Sequence, residues 1–252
     1  MGHLKEVAFR WPRQKLRQRA AKTCVDTVFI MRLSHLPFLL VSLVTGSLAQ
    51  DPSNCSGGGS RDGADFVLQD QGDNSHHAAL AKVFANAGQV VPVGDVFGDA
   101  NHKLTSASGR KKAWPAGSFD DQNTAKWIPQ GITSTADSLE AGTVDGVDGL
   151  LVSWYREDGK GARVTFINKA DYSYRHVLLV YPFSDDNFRE VPIHAGGLMW
   201  YGNTLWVVDT SNGIRVFDMS NIWKVSTGDG VGRQSDGTYT AAGYKYVLPQ
   251  IR

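Results

Sequence analysis

Short apolar segments separated by tight turns fill the second half of this 252-residue chain, and they set the narrowest limits on its fold. The segments are rich in Val, Leu, Ile and aromatic residues and are bounded by Gly, Asn or Asp, as β-strands are. The turn at Asn212-Gly213 tolerates the positive φ that a two-residue hairpin needs. We therefore predict an all-β fold of antiparallel meanders, with strands at residues 150–155, 163–168, 176–181, 197–201, 205–209 and 214–218.

This meander is repeated along the chain. The segment 150–155 corresponds to 205–210, and 162–168 corresponds to 213–219. A third unit is expected to open at 243–250. Sheet units that recur at intervals of about 40 to 60 residues are typical of β-propeller blades.

The segment 194–218, HAGGLMWYGNTLWVVDTSNGIRVFD, resembles a blade of the NHL-type or strictosidine-synthase-like six-bladed β-propellers. The wider pattern is also similar to secreted propeller-like proteins of actinobacteria and fungi, and the resemblance covers residues 127–252. It implies about two blades and the start of a third. Because a propeller needs at least about four blades, we expect the N-terminal part of a longer propeller or a truncated gene model. If the chain is complete as given, its unpaired blade faces predict self-association.

Composition and local pattern divide the chain into five regions. Residues 1–49 carry eight basic and two acidic side chains, whereas the whole chain has a net charge of only +1. In the region before the blades, a helix is expected at 77–86 and a strand interrupted by Pro92 at 89–96. The regions are a non-native N-terminal extension (1–30), a signal peptide (31–49), a flexible linker (50–64), an irregular region with a short helix (65–126) and the partial propeller (127–252).

The signal peptide is predicted from the apolar run at 36–48 and from the small residues Ser47 and Ala49, which satisfy a signal peptidase. An uncleaved signal anchor is the alternative, although the run is short for a permanent membrane span. We therefore expect a secreted, extracellular protein. Its Asn54-Cys55-Ser56 sequence predicts N-glycosylation of Asn54 in a eukaryotic host. The mildly acidic remainder of the chain argues against a nucleic-acid partner, because such a partner is bound by clustered basic residues.

Candidate ligand-binding residues follow from the propeller hypothesis, because propellers bind ligands on the loops that lead into their innermost strands. Gln130 and His194 hold equivalent positions in the two blade openings, and Asp137 and Glu190 are weaker additions. The alternative for Gln130 and His194 is a hydrogen bond to the backbone of each opening.

Other conspicuous residues have structural interpretations. Asp209 and Asp218 are expected to brace the turns that follow them. The segment 145–149 is expected to form a glycine-rich turn rather than a calcium loop. The aromatic residues are expected to form a core between blades: Trp154, Trp200, Trp206, Phe217 and Trp223.

Two functions from different classes remain open. The first is a binding or interaction module for a carbohydrate, peptide or cell-surface ligand, with no cofactor and no metal. The second is a metal-dependent hydrolase or lactonase of the six-bladed propeller type, which would need a divalent ion such as calcium held by acidic and histidine side chains. The two blades recognised in the sequence offer one His and one Gln, which is not a set of side chains that could coordinate a metal ion. Binding is therefore the favoured hypothesis.

Overall fold

Antiparallel pairing of four consecutive strands builds the centre of the fold. The computed structural model describes residues 67–109 and 111–252. Its central strands pair in sequence order, each with the next: β5 (Trp127–Ser134), β6 (Gly149–Arg156), β7 (Ala162–Asn168) and β8 (Ser173–Ser184). The strands predicted at 150–155, 163–168 and 176–181 lie within β6, β7 and β8, and the all-β class with its antiparallel meanders is confirmed.

The sheet continues beyond β8 with strands that are distant in sequence. These are β16 (Tyr246–Pro249), which pairs in parallel with β8, then β13 (Ile222–Lys224) and β1 (Val90–Val91), both antiparallel. Two short strands, β2 (His102–Lys103) and β9 (Asn187–Glu190), also pair with β8. The segment expected to open a third unit thus joins the central sheet as β16, because both sides of β16 find strand partners there.

A second sheet contains the other predicted meander: β10 (Leu198–Tyr201), β11 (Thr204–Asp209) and β12 (Gly213–Asp218). Two hairpins complete the strands, one of β3 (Thr105–Ser106) with β4 (Lys112–Ala113) and one of β14 (Val231–Arg233) with β15 (Tyr239–Ala241). Closure of these sheets into a propeller stays a prediction.

In the described part of the chain, three short helices lie among the strands: α1 (His77–Asn86), α2 (Val93–Gly98) and α3 (Thr135–Ser138). The expected helix at 77–86 is confirmed. The expected strand at 89–96 is wrong beyond Val91, because Pro92 ends the extended segment and serves as the N-cap of α2. A proline lacks the N–H that a strand ladder needs but is compatible with a helix start. Within residues 67–109 and 111–252, no helix is long and apolar enough to cross a membrane.

Apolar side chains cover both faces of the central sheet. On one face, Leu151, Phe166 and Leu248 pack in a cluster that includes Phe97 of α2 and Leu205 of the second sheet. On the other face, a second cluster includes residues of α1 and the rings of Trp154 and Trp223. Of the aromatic residues expected in the core, Trp154, Trp200, Phe217 and Trp223 are buried, whereas Trp206 is only half-buried. That this core lies between blades stays a prediction. Polar side chains inside these strands must therefore find partners within the protein.

Candidate ligand-binding cavity

The two predicted blade openings meet at the buried hydroxyl of Ser153, in β6. This hydroxyl accepts a hydrogen bond from the Gly131 N–H (2.9 Å) and donates one to the Ala195 carbonyl (2.8 Å). Gly131 lies in a bulge of β5, and Ala195 has a φ of +50°. Ser153 therefore joins the chain segments that carry Gln130 and His194.

Neither of these two predicted residues lines the cavity described below. The Gln130 side-chain amide donates to the carbonyl of Pro129 (3.0 Å). The exposed ring of His194 stacks on Tyr155, with 4.6 Å between ring centroids. As ligand-binding residues, Gln130 and His194 stay predictions.

The weaker candidates Asp137 and Glu190 lie in different parts of the structure. Asp137 closes the capping box of α3, where it accepts hydrogen bonds from Thr133 and Ser134, and these bonds lower the pKa of its carboxyl group. Glu190 forms a two-pronged ion pair with Arg156, with distances of 2.6 and 3.0 Å. Because Arg156 lines the cavity, Glu190 is the candidate that comes nearest to it. Asn54 lies outside the described residues.

The residues given structural interpretations are found in such roles. Asp209 accepts the Ser211 N–H, and Asp218 accepts the Ser220 N–H, so both brace the following turn as expected. The segment 145–149 begins with a tight turn in which Asp145 and Gly146 have positive φ.

A cavity of about 350 Å³ opens beside β7 and β8. Its walls come from the loop that precedes β5, from strands β6 to β8 and from the turn 242–245 before β16. Phe119, Trp127 and Tyr244 supply aromatic surface. The cavity is also lined by a set of cationic side chains: Lys126, Arg156, Arg163, Arg175 and Lys245.

Asp121 organises the floor of this cavity. Its carboxylate accepts hydrogen bonds from Arg163 Nη2 (2.7 Å), the Tyr174 hydroxyl (2.7 Å) and His176 Nε2 (2.8 Å). Burial alone would raise the pKa of Asp121, but the bond from His176 and the charge of Arg163 hold that pKa well below its usual range. Asp121 is therefore ionised, and its carboxylate fastens the loop before β5 onto β7 and β8.

The network continues into the sheet through His176. Because ionised Asp121 can only accept, the proton lies on His176 Nε2, and Nδ1 accepts the Thr165 hydroxyl at 2.7 Å. Thr165 in turn accepts the indole N–H of Trp154 (2.7 Å). Burial, followed by the charge of Arg163, lowers the pKa of His176 to about 4, so the ring is neutral near pH 7.

The hydrogen bonds run from the Thr165 hydroxyl through the His176 ring to the Asp121 carboxylate, which is the order found in a nucleophilic triad. The burial of the hydroxyl differs from that of a reactive triad. Thr165 is fully buried and already bonded on both sides, so its hydroxyl cannot reach a substrate. The three residues therefore act as a fixed support for the cavity wall.

Arg163 is the most enclosed cation in the cavity wall. Its guanidinium lies between the rings of Trp127 and Trp154, 4.6 and 4.7 Å from their centroids, and the side chain is only 4% exposed. Nη2 bonds Asp121 and Nη1 bonds the Tyr244 hydroxyl at 3.4 Å, but Nε has no hydrogen-bond partner among the described residues. A buried donor without a partner is costly, about 1–3 kcal/mol, so a ligand acceptor that reaches this N–H would remove that cost.

The cavity wall at 242–243 is held in a left-handed backbone conformation, with φ of +50° at Ala242 and +83° at Gly243. Their N–H groups are fixed by the carbonyls of Gly230 and Gly228. This turn directs Tyr244 and Lys245 toward the cavity lining. Alanine in this conformation is strained, whereas glycine is not.

Replacing Ala242 with glycine is expected to raise the free energy of unfolding by about 0.5–1 kcal/mol, because the relief of strain exceeds the added flexibility of the unfolded chain. Urea unfolding of Ala242→Gly measures this. Ala170→Gly is the matched control, since Ala170 is exposed and has no positive φ. The control should be neutral or destabilised, and equal effects of both variants would contradict the strain at Ala242.

Comparisons with protein-family models, with curated proteins and with solved structures found no match to this chain. The resemblance to NHL-type and strictosidine-synthase-like propellers therefore stays a prediction. In the part of the chain that the structure describes, no group of three or more His, Cys, Asp or Glu side chains is arranged to hold a metal ion.

Sequence reasoning missed Asp121, Arg163 and His176, the residues that organise the cavity. One signal was available. Arg163, Thr165 and His176 interrupt otherwise apolar strands, and all of them are buried. A polar residue in a strand that is covered on both faces needs a buried partner, which points to an internal network.

Proposed function

We propose that this protein is an exported binding module and that the cavity beside β7 and β8 is its ligand site. The observation that carries the proposal is the buried Arg163 guanidinium, which keeps one N–H without a partner at the cavity wall. A cavity of this size, with a few fixed polar groups among aromatic rings, is typical of sites for small molecules. The ligand is therefore a small molecule or one unit of a longer saccharide.

Binding is a better match to this geometry than catalysis. A general acid or base must be able to exchange its proton with a substrate. In the cavity, both ring nitrogens of His176 and both carboxylate oxygens of Asp121 already bond to protein groups. The alternative of a metal-dependent hydrolase stays a prediction, and no arrangement in the described residues favours it.

The exposed face of β10, β11 and β12 supports the self-association that was predicted for the case in which the chain is complete as given. Met199, Tyr201, Val208 and Ile214 lie on this face and are 39–69% exposed. Leu205 and Phe217 point to the opposite face, into the core. Apolar surface of this kind is common where proteins bind one another.

The ligand site is tested by filling the cavity. Asn101 is exposed at the cavity rim, so Asn101→Trp is expected to block it without changing the core. A panel of sugars, sugar acids and small organic acids is screened by thermal unfolding. A ligand at about 100 times its Kd should stabilise the native protein by about 2.7 kcal/mol, and this stabilisation should be lost in Asn101→Trp.

Asn203→Trp is the matched control, because Asn203 is an exposed residue of the β10–β11 turn in the other sheet. This variant should keep the ligand-induced stabilisation. The proposal is wrong if no compound in the panel stabilises the protein, or if Asn101→Trp responds as the control does.

A further inference from the structure

We infer that the ligand is a small anionic ring compound, a sugar acid or an aromatic acid, whose anionic group is bound by the Lys126 ammonium and by Nε of Arg163. This inference rests on the proposed function, since it names the chemistry of the ligand for the same cavity.

The carboxylates of the cavity are already used by the protein. Asp121 receives three donors, from Arg163, Tyr174 and His176. Asp120, the other carboxylate in the lining, accepts hydrogen bonds from the backbone N–H and side-chain amide of Asn123. A ligand that mainly donates hydrogen bonds would therefore find few acceptors.

Two donors of the lining have no such commitment. Arg163 Nε is buried without a partner, and the Lys126 ammonium has no ion pair or hydrogen bond with another described residue. The other cations are held in ion pairs: Arg156 with Glu190, and both Arg175 and Lys245 with Asp99. The Arg163 guanidinium pairs with Asp121 through Nη2, so only its Nε is left without a partner. An anionic group meets the Arg163 and Lys126 donors without breaking an existing ion pair.

Enclosure strengthens this preference for an anion. The Arg163 charge lies between two indole rings, where water does not screen it as it does at the surface. Hydrogen bonds between charged groups are roughly twice as strong as neutral ones. The carboxylate, sulfate or phosphate of a ligand would complete the hydrogen bonding of the guanidinium.

The aromatic surface of the cavity indicates what the uncharged part of the ligand is. One face of the Phe119 ring stacks on His102, with 3.5 Å between centroids and an 8° angle between planes, yet Phe119 remains 38% exposed. Both residues line the cavity. A flat apolar surface of this kind accepts the face of a sugar ring or an aromatic ring.

Two matched pairs of probes test the charge: glucuronate against glucose, and benzoate against benzyl alcohol. Their Kd values for the full chain are measured by ligand-observed NMR. The acid of at least one pair should bind about tenfold or more tightly than its neutral partner, as a charge-assisted hydrogen bond implies. A preference for glucuronate identifies a sugar acid as the ligand, and a preference for benzoate identifies an aromatic acid.

Lys126→Gln should weaken binding of the preferred acid by about tenfold and leave binding of its neutral partner unchanged. Lys169→Gln is the control, because Lys169 is an exposed lysine that is paired with Asp148 and absent from the cavity lining. It should bind both probes as the wild type does.

The outcomes separate the two proposals. If neutral and acidic probes bind equally and Asn101→Trp abolishes both, the cavity binds ligands but the anionic class is wrong. If the acids bind and Lys126→Gln has no effect, the assigned anion site is wrong. If no acid or neutral compound binds, both the anion site and the proposed function are overturned.

Discussion

Asp121→Asn is expected to lower the free energy of unfolding by about 3–5 kcal/mol, because it leaves a buried cation without its counter-charge. The substitution keeps the size of the side chain but removes the charge that Arg163 meets at 2.7 Å. It also places an amide N–H where the carboxylate accepts the Tyr174 hydroxyl and His176 Nε2. Urea unfolding at neutral pH measures the loss.

Asp120→Asn is the matched control for this variant. Asp120 is the neighbouring residue and also lines the cavity, but its side-chain hydrogen bonds to other described residues go to Asn123, in an exposed turn. Its replacement should cost less than about 1 kcal/mol, as is usual for surface groups. If the two variants lose the same stability, Asp121 does not organise the cavity as described.

Stability should also rise with pH between about 4 and 6.5, and His176 is the main cause. In the unfolded chain this histidine takes up a proton near pH 6.5, but in the native protein its pKa is lowered to about 4. Between these values the unfolded state binds more protons, so lowering the pH favours unfolding. A shift of one pKa unit corresponds to 1.36 kcal/mol. The free energy of unfolding should therefore fall by up to about 3 kcal/mol as the pH is lowered from about 6.5 to about 4.

Asp121 also lowers the free energy of unfolding at acidic pH, in the same direction as His176. Its pKa is lower in the native protein than in the unfolded chain, so its stabilisation is present above the unfolded value of about 3.9 and is lost as the pH falls through the native value. The burial of His102, which lies close to His176, also lowers the pKa of that histidine. Acid should therefore weaken the cavity wall before the rest of the fold.

The test compares unfolding in urea at about pH 7 and about pH 4.5 for the wild type and for His176→Gln. Glutamine cannot be protonated, so the variant should be less stable at neutral pH but should lose much less stability on acidification. His194→Gln is the control, because His194 is exposed and lies outside the cavity. An unchanged pH dependence in His176→Gln would contradict the role given to this histidine.

The local features of the fold could be predicted from the sequence because they depend on neighbouring residues. Short apolar runs bounded by Gly, Asn or Asp defined the strands that became β6, β7 and β11. The acids at the ends of β11 and β12 brace their turns through bonds to residues two positions later. Helix α1 begins and ends where its apolar spacing indicated.

The remaining features depend on residues that are far apart in the chain. The parallel pairing of β16 with β8 joins segments about 70 residues apart, and no periodicity in either strand specifies that partner. Asp121 lies in a region without a regular apolar pattern, and its partner His176 is 55 residues away. The candidate residues were predicted by analogy with the blade openings of propellers. That analogy pointed to Gln130 and His194 and not to the network of Asp121 and His176.

The most direct test of the cavity as a ligand site is an NMR titration that follows the indole N–H signals of the tryptophans. The tighter-binding acid of glucuronate and benzoate is added to about 10 mM, ten times a weak Kd of about 1 mM. The signals of Trp127, in the cavity lining, and Trp154, against Arg163, should shift, while that of Trp206 in the second sheet should not. No shift at Trp127, or an equal shift at Trp206, would contradict the account.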